Sequence, residues 1–331
     1  MNRVLRLQVP IRIAAAASAV GYEEFRGPLG EKFDFHDDSD RFGESTFERA
    51  EGEIGHIALN LALKKAGLSH TEIDLLFAGD LQNQCVASSG GLLSFGIPYI
   101  GLYGACSTLG EGLFSAALAL SGATALSRVA VVTTSHNSAA ERQFRLPLEY
   151  GGQRTPTAQW TATAGGAFLL DREKQGVLIT HVMAGRILDY GIRDPANMGA
   201  AMAPAAADSI LTYLEKTRTA PEDYDAIVTG DLGREGSALL SELLLKHSVR
   251  LNNHSDCGSM LYYEKKQDSH AGGSGCGCSA AVLAAHFLPL LQGGALRRML
   301  LIPTGALMSP SSIAQGGSIA GIAPVVCLEV L

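Results

Sequence analysis

Apolar runs and polar connections alternate along the chain in an order that repeats. Residues 73–80, Ile-Asp-Leu-Leu-Phe-Ala-Gly-Asp, form a short apolar run closed by Gly-Asp, which predicts a buried strand feeding a loop. Over 107–125, Leu109, Leu113, Ala116, Ala117 and Leu120 make a helix that is apolar nearly all round, and such a helix belongs inside a protein. The Val-rich run 128–134 completes a strand, helix, strand unit. That unit predicts a parallel sheet with right-handed crossovers and a ligand site at the carboxyl ends of its strands. Upstream, Ser45-x-x-Glu48 predicts a capping box. Ile54, Ile57, Ala58 and Leu61 share one helical face behind it, and Gly67 supplies the C-cap. Further strands are predicted near the N-terminus and over 98–102, 163–170 and 176–182, and 135–160 reads as a long polar loop.

The second half restates this plan. Residues 224–232 echo 73–81. Gly104-Ala105-Cys106, its helix and the strand 128–134 are matched by Ser274-Gly275-Cys276, a second helix and 298–304, at one constant offset of 170 residues. Ordered matches of this kind indicate an internal duplication, with halves spanning 1–172 and 173–331. Each half supplies a strand ending in Gly-Asp, a cysteine at the head of a central helix, and a strand leading to a loop.

With 331 residues and 47% apolar composition, the chain can bury a large core. A net charge of -7 without any Lys/Arg-rich run argues against nucleic acid as a partner. Six cysteines without a C-x-x-C framework predict free thiols, a reducing compartment, cytoplasmic residence and no zinc site. Residues 81–110 and 299–328 lack charge but are broken by Pro, Gly and polar groups, so they read as core and not as membrane spans. Arg12 interrupts the N-terminal apolar segment, which favours a first strand over a signal peptide.

The candidate chemistry centres on Cys106. At a helix N-terminus a cysteine meets unpaired amides and the positive end of the helix dipole, which favours a thiolate; the competing reading, and from position alone the commoner one, is a small buried hydrophobe. His136 and Asn137 follow the next strand directly and belong at the same rim. Arg142, Arg145 and Arg154 share a segment with Phe144, Tyr150 and Trp160. Guanidinium groups bind carboxylates through paired hydrogen bonds, and aromatic faces stack on flat rings. The competing reading pairs these arginines with Glu141 and Glu149 at the surface, where each pair contributes only about 0 to 1 kcal/mol. Gly273 and Ser274 belong to a loop that permits close backbone approach to an anion. Asp80 and Asp231 end equivalent strands, and their repetition favours a structural role over a calcium site.

Two sheets packed around two central helices resemble the thiolase fold, an α/β architecture of five layers ordered α-β-α-β-α, and the resemblance covers the whole chain. In that superfamily the first-half cysteine is the acyl-accepting nucleophile, and Cys106 occupies its position. A closer resemblance, to the stage V sporulation protein AD family, is carried by residues 78–84, 104–108, 135–137, 140–145, Pro147, 149–153, 194–208 and 271–276. It implies binding of dipicolinic acid (pyridine-2,6-dicarboxylate), with Cys106, His136, Asn137, Arg142, Arg145, Arg154, Gly273 and Ser274 as candidate ligand-binding residues. It also implies action with membrane proteins of the same operon, at the spore inner membrane, in loading the forespore and in release at germination. No cofactor is expected, with calcium entering only alongside dipicolinate, and a homodimer is expected by analogy.

The alternative is a thiolase- or ketoacyl-synthase-like acyltransferase with Cys106 as nucleophile and His136 as base. Such an enzyme needs second-half partners for the cysteine. His270 stands near the place of the superfamily's Gly-His-Pro loop, but the proline and one residue of spacing are missing. The other superfamily pattern, a histidine and an asparagine each in its own motif, is absent, with His254 a weak substitute. A third reading is a structural subunit with a vestigial pocket.

Overall fold

The computed structural model describes residues 3–144 and 154–330. The first half contributes β1 (Val4–Gly21), α1 (Phe47–Ala66), β2 (Leu75–Gly79), β3 (Tyr99–Leu102), α2 (Thr108–Gly122), β4 (Arg128–Ser135), α3 (Asn137–Phe144) and β5 (Ala164–Asp171). The second contributes β6 (Val177–Met183), α4 (Met198–Thr217), β7 (Ala226–Thr229), α5 (Gly233–Leu245), β8 (His254–Asp256), α6 (Cys276–Val282), β9 (Arg298–Ile302) and β10 (Val325–Glu329).

The main strands run in the order β8-β7-β9-β10-β6-β1-β5-β4-β2-β3, with the short strand Phe35–Asp37 beside β1. Read from either edge the order is the same, and so is the polarity. The outer three strands of each end are parallel, and each pairs inward with an antiparallel strand. β1 and β6 join antiparallel at the centre. The repeat at the constant offset thus appears as a pseudo-two-fold in the sheet.

Between the two halves lie α2 and α6, which contact each other; α2 touches β1 and β4 of the first half and β6 and β10 of the second, and α6 packs on β5, β4 and β1. On α2, Leu109, Leu113, Ala116, Ala117 and Leu120 are all fully buried, as the all-round apolar pattern requires. Gly277 lets α6 sit against β5, since a Cβ there would lie 1.9 Å from the Ala164 carbonyl oxygen. Helix α1 covers the outer face of the first half, and α4 with α5 that of the second. Five layers result.

Local differences have local causes. Thr46, not Ser45, caps α1 by accepting the Arg49 amide, while Gly67 ends it at φ 63° as expected. Part of the expected polar loop folds as α3, because Ala139 and Ala140 offer a small apolar face that packs inward. No helix among the described residues is long and apolar enough to cross a membrane.

Candidate functional site

After β3, the chain turns sharply at Ala105, whose φ of 52° is left-handed. This conformation is uncommon for a residue with a side chain. The turn is fastened by Ser107 Oγ donating to the Gly104 carbonyl at 2.6 Å and Thr108 Oγ1 donating to the Ala105 carbonyl at 2.6 Å. Cys106 therefore sits in a 3-10 turn just before α2. It forms part of the floor of a cavity of about 360 Å³, at the small end of the range for ligand sites.

Ser274 and Thr161 lie beside it on two short strands paired in parallel. Leu81, Phe144, Met198, Leu307 and Met308 supply apolar walls, and Asn83, Tyr103, Ser309 and Ser312 supply polar groups. Among the described residues, Glu141 is the one charged side chain of the lining.

Among the charged groups, the Asp231 carboxylate, just beyond β7 of the other half, acts most strongly on the Cys106 thiol. Asp231 also accepts Thr304 Oγ1 at 2.8 Å and the Gly275 amide at 3.0 Å. Burial first, and then the charge of Asp231, push the thiol well above its ordinary range. Burial pushes the Asp231 carboxyl up to about 7 against the opposing hydrogen bonds. A cysteine activated by histidine becomes a thiolate paired with a cation. Here, passing the thiol proton to Asp231 would leave a thiolate with no cation beside it. The pair favours the neutral thiol.

Of the predicted site residues, Cys106 and Ser274 meet at this cavity. The structure places the other described candidates elsewhere. His136 is buried, with Nε2–H donating to the Asp40 carbonyl at 2.8 Å and Nδ1 accepting the Ser138 amide at 3.1 Å. Both ring nitrogens are occupied, and burial lowers its pKa. It fastens a loop and cannot serve as the base for Cys106. The Asn137 amide donates to Thr163 Oγ1 at 3.2 Å. Arg142, 55% exposed, pairs with Glu48 of α1 at 2.9 Å. Arg154 pairs with Asp268 at 2.8 Å and lies over the Trp160 ring at 4.8 Å. Those two arginines thus have separate acidic partners and do not form one receptor. Arg145 lies outside the described residues. Gly273 stands behind the cavity wall, its carbonyl accepting Gln159 Nε2 at 2.9 Å.

His270 pairs with Asp268 at 2.6 Å, and His254 with Thr229 Oγ1 at 2.9 Å; neither lines the cavity. Asp80 accepts the Ser88 amide and hydroxyl at 2.7 and 2.5 Å and the Gln82 amide at 2.8 Å, so it is the structural group its repetition suggested. Asp231, its counterpart, belongs to the site. The repeated Gly-Asp was the signal that could have found it.

Comparison with known proteins accords with this architecture. The family model described as stage V sporulation protein AD matches residues 1–329. The stage V sporulation protein AD of Bacillus subtilis (strain 168) is 41% identical over 321 residues, covering 97% of this chain and 94% of that protein. Among solved structures, the tetronic acid condensing enzyme AbyA1 aligns with a TM-score of 0.62 at 18% identity, over 97% of this chain and 100% of its own. The 3-oxoacyl-[acyl-carrier-protein] synthase III of Aquifex aeolicus aligns with a TM-score of 0.60 at 14% identity, with the same coverage. At such identities the likeness concerns the fold, which is thiolase-like.

Proposed function

From its place in the stage V sporulation protein AD family, to which the chain belongs, we propose that it binds dipicolinic acid in the cavity beside Cys106 and does not turn over an acyl substrate. The observation that carries this reading is the pairing of Cys106 with Asp231, a nucleophile's position furnished with a carboxylate where catalysis needs a cation-forming base. The cavity suits a small flat ring: Phe144 offers a face to stack on, and Asn83, Ser309 and Ser312 offer hydrogen bonds.

Calcium, where it takes part, arrives with the dipicolinate as its chelate, because burying a bare dianion is costly without a countercharge. Calorimetric titration of the full chain with dipicolinate, with and without calcium, tests this. Saturable heat with calcium is expected, and no saturable heat at millimolar ligand in either condition rejects the proposal.

Two further parts of the family's role remain proposals. The chain acts with membrane proteins of its operon in moving dipicolinate into the forespore and out at germination, and so meets the spore inner membrane through those partners. It also works as a homodimer through the free edge of the sheet at β3, where Tyr99, Ile100 and Tyr103 are 37%, 45% and 51% exposed. An unpaired edge of this kind is a ready template for a second copy of itself.

A further inference from the structure

At the seam where the halves of the sheet join, a second group of ligating side chains is gathered. His181 on β6 and Cys327 on β10 are direct cross-strand partners. Glu329 stands two residues further along β10, beyond a register shift that follows Cys327, and shifts of this kind re-aim side chains. A histidine ring nitrogen, the cysteine sulfur and a carboxylate oxygen come to lie within 4.8 Å of one another.

We propose that His181, Cys327 and Glu329 bind one divalent ion of borderline softness, zinc above all. One nitrogen, one sulfur and one oxygen ligand form a donor set that zinc accepts, with a fourth position left for Tyr213 or a water. The charges also match. A neutral imidazole, a thiolate and a carboxylate together balance a dication. On binding, the Cys327 S–H bond breaks, a sulfur–metal bond forms and the proton leaves to solvent.

An independent feature points the same way. Tyr213 is fully buried, and its hydroxyl makes no hydrogen bond of ordinary geometry although Cys327 and Tyr224 stand close to it. Its ring stands edge-on to His181 at 6.3 Å. An orphaned hydroxyl beside the sulfur is a group that an ion or its bound water would satisfy.

The surroundings resemble an outer shell of ligand support. Thr180 Oγ1 sits 3.0 Å from Nδ1 of His181 and donates to Glu329 Oε1 at 3.1 Å, an arrangement in which Nδ1–H donates to the hydroxyl and Nε2 keeps its lone pair. Arg298 pairs with Glu329 Oε1 at 2.8 Å, and Cys327 Sγ donates to the same oxygen at 3.4 Å. A cleft of about 510 Å³, bordered by His181 and Glu329, lies where β1 leaves its register with β6 between Arg6 and Ile11, and gives the ion a way in.

The test is a titration of the chelator-treated full chain with cobalt(II), read by absorption, followed by zinc. One equivalent of cobalt should produce a thiolate-to-cobalt charge-transfer band that zinc abolishes. The band should be lost in Cys327→Ser and in His181→Gln, a substitution at a partly exposed position, and persist in Cys106→Ser. Thr180→Val should weaken cobalt binding by roughly 10- to 100-fold. Absence of the band in the folded parent chain, or its survival in His181→Gln, overturns the proposal.

Discussion

The Cys106 thiol and the Asp231 carboxylate act on each other across the boundary between the two halves of the fold, each shifting, after burial, the proton affinity of the other. Replacing Asp231 with asparagine removes a negative charge next to the sulfur, so the thiol pKa should fall. The thiolate fraction grows about tenfold for each pKa unit lost. Peptide-resolved alkylation of Cys106 at pH 8 should therefore be slow in the parent and several-fold faster in Asp231→Asn. Equal rates would mean that Asp231 does not govern the thiol.

Incubation with acyl-coenzyme A separates binding from catalysis. The neutral thiol predicts no acyl adduct on Cys106 by intact-mass spectrometry, and Cys106→Ala should retain dipicolinate affinity within a few-fold. An adduct formed by the parent and absent from Cys106→Ala would instead support an acyltransferase.

Glu24 carries a second charge-state effect. Its Oε1 accepts the Thr163 amide at 3.1 Å and the Tyr262 hydroxyl, while burial pushes its pKa up to about 8 from 4.5. Because the folded-state value of this acid is raised, the folded chain holds the proton after the unfolded chain has released it. Stability from this group is complete below about 4.5 and is lost as pH rises to about 8, at up to about 1.4 kcal/mol per pH unit. Asp231 acts in the same direction between 3.8 and about 7, and His254, lowered to about 4, in the opposite direction up to 6.5. Between pH 7 and 8, thermal melting of the parent should fall, and Glu24→Gln should flatten that slope. An unchanged slope would contradict the assignment.

The packing of the central helix gives a stability test. Gly277→Ala drives a Cβ toward the Ala164 carbonyl oxygen, and overpacking of this kind costs about 1–3 kcal/mol or more. Denaturant melts should show the loss, whereas Gly90→Ala, with nothing within 4 Å of its Cβ, should be nearly neutral.

Ile100→Lys on β3 places a charge on the exposed edge. Sedimentation should then give a monomer where the parent gives a dimer. A parent that sediments as a monomer would remove the dimer from the account.

The fold was legible because its signals are local. Leu109 through Leu120 marked a buried helix by spacing, and the offset between Cys106 and Cys276 exposed the duplication. The site was less legible because its contacts are not local. Asp80 and Asp231 read alike in sequence, but the Asp80 carboxylate is taken up by Ser88 and Gln82, whereas Asp231 acts on Cys106 of the other half. Arg142 and Arg154 looked like a pair because they are close in sequence. Glu48 on α1 and Asp268 in the second half draw them apart, and neither partner lies near them along the chain.

The central claim is the location of the ligand, and a crystal structure of the full chain grown with calcium dipicolinate tests it most directly. The account predicts a flat ring in the cavity between Cys106 and Phe144, with its calcium bound alongside. Ligand at the Arg142 or Arg154 surface, with the Cys106 cavity holding only water, would contradict it.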